Sequence, residues 1–388
     1  MKLTFEPAPH YRSPQSTGGI MKELTLCLCA VTLFAVIYYT MAFGASYGLR
    51  VVIMMVLAVC AGCATEAVYY KATKQDIKKG ILSSYPWVTA MILTLISSID
   101  NSYYAIVVSV VIAIIFGKLV FGGFGQNIFN PAAFGEAILM NSFAAAKSAD
   151  FATGATPTQA MNTYGWMLSA ENFNAMVGKY GGLGRMLLGQ YPSTIGSTCA
   201  ILILICGIVM IIRKDIDWQA PVFYIGTIFV VSLLIGLMHG AGVWYAVFQV
   251  LAGGVMFGGV FMMTDPVTSP VTIPGRVIIA VGAACFTLIF RLRSNMADGV
   301  LYSILLMNML TPAIDKLMDG NQIKNAAKNA RTVLIACAVM LAITLGIGFI
   351  AEGKLPAGAA VEKASETMTA ETAAVVPDVL YADSAAGN

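Results

Sequence analysis

Apolar residues run along this chain in long continuous blocks, without the strict alternation of half-buried strands. The blocks fall at residues 20–43, 49–70, 85–99, 103–120 and 128–143, again at 196–212, 220–237, 243–263, 275–290 and 300–318, and once more at 333–350. A helix needs roughly 20 apolar residues to cross a bilayer core, and it satisfies its own backbone hydrogen bonds there. A membrane β-barrel would show alternation instead. The pattern therefore predicts an all-α polytopic membrane protein. The block at 85–99 is short for a full span, and Asp100-Asn101 separates it from the next one.

The spacing of the blocks divides the chain into six parts. Residues 1–19 form a polar N-terminal segment, 20–143 a first group of five helices, and 144–195 the longest polar excursion. Residues 196–318 form a second group of five, 319–350 a linker with an extra C-terminal transmembrane helix, and 351–388 an Ala-rich tail expected to be flexible. Five helices per half give the halves opposite orientations, so the plan is two inverted five-helix repeats. The pattern N-x-x-(N/T)-P-A occurs in each half, from Asn127 through Asn130-Pro131 and from Asn308 through Thr311-Pro312. Basic residues orient the chain. Lys71, Lys74, Lys78, Lys79, Arg213, Lys214 and the stretch from Lys316 to Arg331 share one side if the N-terminus is cytoplasmic. The 144–195 loop and the tail are then external, and Arg291 and Arg293 are the exceptions on that side.

Composition narrows the function. Of 388 residues, 58% are hydrophobic and 11% charged, against about a quarter charged in soluble domains. Mean hydropathy is +0.78. The net charge of +3 is spread over loops and offers nothing to nucleic acid. Eight cysteines lie mostly inside apolar blocks and do not form a disulfide framework. Cys60 and Cys63 have CxxC spacing, read first as small packing residues and second as a metal or redox pair. Two histidines rule out a His-rich metal site, and no catalytic Ser/His/Asp set, P-loop or dinucleotide fingerprint is present in a suitable context. Hydrolase and nucleotide-dehydrogenase chemistry are thereby excluded from this chain. Trp87, Trp166, Trp218 and Trp244 are placed like interfacial anchors.

Four stretches carry candidate chemistry. Gly122, Gly123 and Gly125 allow close backbone approach, and Asn127 and Asn130 follow one helical turn apart, suited either to a ligand or to capping a broken helix. Asp265 stands between an apolar block and two prolines, as a cap or a cation partner. Glu66, Glu136 and Asp315 are carboxylates in or near apolar blocks, where ionisable groups are costly. Glu66 and Asp315 lie nearest the cytoplasmic face, as solvated helix ends or as an ion-uptake path, and Asp100 stands at the outer side as an exit. The polar loop holds Asp150, Thr153, Gly154, Ala155 and Thr156, two hydroxyls about a Gly-Ala turn with a carboxylate upstream.

Taken together, residues 10–13, 121–132, 150–156, 264–270 and 307–315 resemble the D-subunit family of the Rnf ferredoxin:NAD⁺ oxidoreductase complex. They resemble more distantly the B subunit of the Na⁺-translocating NADH:quinone reductase; Thr268-Ser269-Pro270 after Asp265 favours the Rnf branch. The resemblance implies FMN joined through its phosphate to Thr156, installed by a flavin transferase reading Asp150, Gly154 and Ala155. It implies a second, non-covalent riboflavin, with Asn127 and Asn130 carried over beside Gly123 and Gly125, and Glu66, Asp265 and Asp315 on the ion path. It further implies other Rnf subunits as partners, a multi-pass place in the bacterial cytoplasmic (inner) membrane, and coupling of electron transfer to Na⁺ or H⁺ movement. NAD chemistry would then belong to a partner. A transporter without redox chemistry explains the helices and buried acids but not residues 150–156.

Overall fold

The computed structural model describes residues 16–151, 153, 156–163, 166, 168, 170–197, 199–294, 298–318 and 326–351. Gly154, Ala155, residues 10–13 and residues 352–388 lie outside that set. Among the described residues the chain is helical, with one isolated antiparallel bridge between Asn101 and Lys147.

Helices α1 (Thr17–Phe43) and α2 (Ala45–Ala72) open the first half and are joined at a single residue, Gly44, whose φ of 101° permits the abrupt reversal. The third apolar block holds α4 (Pro86–Ile96), and a short helix upstream of the block, α3 (Ile77–Ser84), joins it with a bend of 46° at Tyr85. Pro86 cannot donate a backbone hydrogen bond to α3, and it starts α4 instead. Next come α5 (Tyr103–Ile114), extended by a π-helical turn at Ile115–Leu119, and α6 (Pro131–Ser142). Gly135 lets α6 approach closely, since a Cβ there would lie 2.5 Å from Leu93 and 2.6 Å from Ala113.

The second half has the same order of elements: α10 (Ala200–Ile212), α11 (Gln219–Met238), a broken third helix, α14 (Ile273–Arg293) and α15 (Val300–Leu317). The broken helix comprises α12 (Trp244–Leu251) and α13 (Val255–Phe257), the latter continued by a π-helical turn at Gly258–Met262, and its two parts meet at 65°. Helix α16 (Ala326–Ile350) packs outside against α11 and α14. Among the described residues six helices are long and apolar enough to span a membrane, and up to eight spans result if each bent pair counts as one.

The excursion at 144–195 is a folded cap rather than an open polar loop. It contains α7 (Pro157–Thr163), α8 (Ala170–Lys179) and α9 (Gly182–Leu188). Phe173, Met176, Met186 and Tyr191 are buried in the main core. Tyr39 of α1 donates to the Ser193 carbonyl at 3.0 Å, and Tyr191 donates to the Leu251 carbonyl at 3.0 Å. Trp166, expected at an interface, is only 1% exposed and lies under the Arg291 guanidinium, 5.2 Å from its carbon to the ring centre.

The repeated N-x-x-(N/T)-P-A pattern does not mark equivalent positions. Pro131 begins α6, whereas Pro312 lies inside the last turns of α15. The two copies instead meet. With its amide oxygen turned toward α6, Asn308 accepts from the Asn130 backbone N–H at 3.0 Å.

Candidate functional site

Each half fixes its broken third helix with a cation from its fourth helix. In the first half Lys118, in the π-turn after α5, donates to the Ser84 carbonyl at the α3–α4 break. The same ammonium pairs with Glu66 of α2 at 2.9 Å, and Ser84 Oγ donates to Glu66 at 2.8 Å. Glu66 is fully buried, so the solvated-helix-end reading fails for it. In the second half Arg291, at the end of α14, donates to the Gln249 carbonyl at 2.7 Å and the Ala252 carbonyl at 2.9 Å. It also binds Gln249 Oε1 at 2.8 Å and Asp298 at 3.0 Å. A broken helix leaves carbonyls without intrahelical partners, and these cations satisfy them. Arg291 is thus fully buried structure and not a flanking charge, which removes it from the topology count. Arg293 is exposed.

Two cavities lie at opposite ends of α4 and α6. The first touches Val88, Thr89 and Ile92 of α4 and Pro131 and Ala132 of α6. The second touches Ile96 of α4 and Glu136, Leu139 and Met140 of α6. Ile92 and Ile96, like Ala132 and Glu136, are four positions apart, about 6 Å along a helix. The cavities are nearly back to back.

The second cavity has a volume of about 310 Å³ and contains Thr156. Thr156 sits at the start of α7 in a reciprocal cap: Gln159 N–H donates to Thr156 Oγ1 at 3.2 Å, and Thr156 N–H donates to Gln159 Oε1 at 3.0 Å. Pro157 then occupies the first helical position. The upstream end of the motif is held by α2. Arg50 is buried, donates to the Ile99 and Asn101 carbonyls at 2.7 and 2.8 Å, and lies 4.1 Å from the Phe151 ring centre. Tyr47 donates to the Asp150 carbonyl at 3.2 Å, while Asp150 is exposed. Thr153 is half-buried. Opposite Thr156, Gly253 has a φ of 71° and no room for a side chain, since a Cβ would lie 2.4 Å from Asp298 and 2.9 Å from Thr158. Asp298 accepts from Gly254 N–H at 2.5 Å and lines the cavity with Lys147 and Glu136. A volume near the lower end of the usual ligand range, an ammonium from Lys147 and a nucleophilic hydroxyl together fit a phosphoester-linked aromatic cofactor.

The first cavity is about 80 Å³, lined by Lys118, Asn127, Asn130 and Asp265. Asn130 Oδ1 caps α6 by accepting from Ala132 and Ala133 N–H at 3.1 and 3.2 Å. Asn127 donates to the Phe129 carbonyl at 3.0 Å. Asp265 accepts from Val267 N–H at 3.1 Å and the Thr268 hydroxyl at 3.2 Å, which closes a turn rather than capping a helix, since α14 begins at Ile273 and is capped by Thr272. One atom of each amide is thus engaged within its own turn, Asn127 Nδ2 and Asn130 Oδ1, and the cavity is smaller than the roughly 300 Å³ of small-molecule sites. Gly123 and Gly125, at φ of 99° and 88°, shape the turn beside it. Asp315 lines neither cavity and accepts from Val271 N–H at 3.1 Å. Asp100 pairs with Lys147 at 2.8 Å near the rim of the Thr156 cavity. The cysteines are free, and Cys60 is exposed on α2.

Sequence reasoning missed Lys118, Arg50 and Asp298. A basic residue inside or at the head of an apolar block was the available signal, because such a group must find an acceptor.

The model of the NQR2, RnfD, RnfE family matches residues 4–324. The chain belongs to this family. The D subunit of the proton-translocating ferredoxin:NAD⁺ oxidoreductase complex of Clostridium ljungdahlii is 34% identical over 323 residues, covering 81% of this chain and 94% of that protein. The D subunit of the Na⁺-translocating ferredoxin:NAD⁺ oxidoreductase complex of Acetobacterium woodii is 33% identical over 329 residues, covering 81% and 93%. The D subunit of an ion-translocating oxidoreductase complex of Vibrio vulnificus (strain YJ016) is 26% identical over 355 residues, covering 81% and 97%. The match to this family embraces both broken helices, both clamps and the Thr156 cavity. As an RnfD-type member of it, the chain is a multi-pass membrane component of an electron-transport complex. The Clostridium and Acetobacterium relatives differ in the ion their names give, at nearly equal identity, so overall similarity does not assign the ion.

Proposed function

We propose that this chain is the flavin-bearing membrane subunit through which an Rnf-type complex passes electrons between ferredoxin and NAD⁺ while moving Na⁺ or H⁺. FMN is esterified to Thr156 Oγ1 by a flavin transferase, and NAD chemistry takes place on a partner subunit. The single observation that supports the reading is the cavity of about 310 Å³ at Thr156, bordered by the folded cap and by Lys147. When bound, FMN would supply one- and two-electron redox chemistry. The chain's own residues do the rest. The Thr156–Gln159 cap and Arg50 beneath Phe151 hold the attachment segment, and the Lys147–Asp100 pair stands at the same cavity. Asp150 stays exposed for the transferase. The cap segment is external and the N-terminus cytoplasmic in this reading, with the two halves inverted. The matching cation-clamped breaks support the repeat better than the N-x-x-(N/T)-P-A pattern does.

The test is covalent attachment. Co-produced with the transferase, the wild-type chain should fluoresce in a denaturing gel and carry the mass of an FMN ester. Thr156→Ala should be dark and Thr156→Ser fluorescent. A Thr156→Ala band at wild-type intensity would place the flavin elsewhere. A colourless wild-type chain that moves solute in liposomes would favour the transporter reading.

A further inference from the structure

Glu136 is a group that the cap, the clamps and the attachment segment leave unused. It lies midway along α6, is 5% exposed, and lines the Thr156 cavity. Its Oε2 is buried without a hydrogen-bond partner. A carboxyl oxygen in that condition is costly inside a membrane protein. Replacement by an apolar residue would relieve the cost, so its position against the cavity points to something that meets it there. The charged groups sharing the space are already committed: Lys147 binds Asp100 at 2.8 Å, and Asp298 binds Arg291 at 3.0 Å and Gly254 N–H at 2.5 Å. Among the described residues, the elements packed on α6 offer no other partner for its carboxyl. Helix α4 has no titratable side chain, and α5 brings the phenols Tyr103 and Tyr104. The π-turn brings Lys118, held by Glu66. Helix α15 brings Tyr302, which accepts from Asn141 at 2.7 Å, and at its far end Asp315 and Lys316.

We propose that Glu136 is the proton donor of this cavity, passing the proton on its Oε2 to a flavin ring as electrons arrive. The proposal rests on the FMN reading of Thr156. Two electrons come from a low-potential iron–sulfur donor, the class that ferredoxin represents. The O–H bond of Glu136 breaks and an N–H bond forms on the ring. The carboxylate left behind faces Lys147, and when the ring passes its electrons on the N–H bond breaks and the same proton returns to the Glu136 carboxylate. No proton enters from water during the reduction itself, so the ring's potential is nearly independent of pH. With the donor removed, the ring must take its proton from solvent, and one proton per two electrons gives about 30 mV for each tenfold change in proton concentration.

The experiment uses the full chain co-produced with the transferase, as wild type, Glu136→Gln and Glu136→Asp. Dithionite supplies the electrons, and the readouts are reduced-minus-oxidised infrared spectra and potentials at several pH values. Wild type should lose a protonated-carboxyl C=O band on reduction and show a flat potential. Glu136→Gln should lose no such band, gain the slope, and keep its in-gel fluorescence, while Glu136→Asp restores the band. An identical band loss in Glu136→Gln, no band loss in wild type, or the same slope in both overturns the proposal. Fluorescence lost in Glu136→Gln alone overturns it by placing the residue in attachment. A dark wild-type chain instead shows that the covalent-flavin reading itself has failed, and the proposal falls with it.

Discussion

The two broken helices are held by the same device with opposite faces toward their cavities. At the α3–α4 break the cation faces the cavity: Lys118 lines the small space and Glu66 stands behind it, fully buried. At the α12–α13 break the anion faces the cavity: Asp298 lines the large space beside Thr156 and Arg291 stands behind it. The chemistry of each cation suits its place. A lysine is a point charge with a flexible stem, sufficient for one carboxylate and one carbonyl. An arginine is a rigid planar fork, and here it ties together two carbonyls, an amide oxygen and a carboxylate. The first break is a closed joint. The second is tied directly to the wall of a ligand-sized cavity, so a change in that wall is felt by the helix break, and the reverse.

The largest expected effect comes from breaking the closed joint. Lys118→Met leaves Glu66 buried without its counter-charge and should cost about 3–5 kcal/mol of stability. A thermal scan of the detergent-solubilised chain should show it, and Glu66→Leu added to Lys118→Met should recover most of the loss. A tolerated single variant would mean that the pair is not what holds α3 to α4. Arg291→Lys should cost less, about 2 kcal/mol, because an ammonium satisfies only part of the fork's acceptors. That variant should also reduce flavin loading at Thr156, whereas Lys118→Arg should leave loading intact; equal loading in both would uncouple the second break from the cavity. Smallest is Gln159→Ala, which removes half of the cap at Thr156 for about 1 kcal/mol locally. Fluorescence of that band should persist, in contrast to the dark Thr156→Ala, and its loss would make the cap a requirement for attachment.

The all-helical membrane architecture was legible in the chain because apolar blocks of spanning length have few other stable forms in lipid. The breaks were only half legible. The 85–99 block was visibly short, and Pro86 sits at its start, but Gly253-Gly254 lies inside a block at 243–263 that reads as continuous. A glycine pair does not announce a 65° bend unless the carbonyls it frees have a partner, and that partner, Arg291, is about 40 residues away. Asn130 illustrates the opposite outcome, since its local capping reading is realised by bonds two and three residues away.

By itself, the sequence determined the family, the helical membrane character and the hydroxyl at Thr156, because length, hydropathy and short ordered motifs are local properties. Tertiary structure alone decided which charges are structural and which remain available. Lys118 and Glu66 became a dry pair, and Arg291 changed from a topological exception into a helix clamp. Trp166 left the interface for the core, and Glu136 was brought to the Thr156 cavity with one oxygen unmatched. The reason is physical. The cost of a buried polar group is set by which acceptors and donors surround it in space, and most of those neighbours come from segments far apart in the chain.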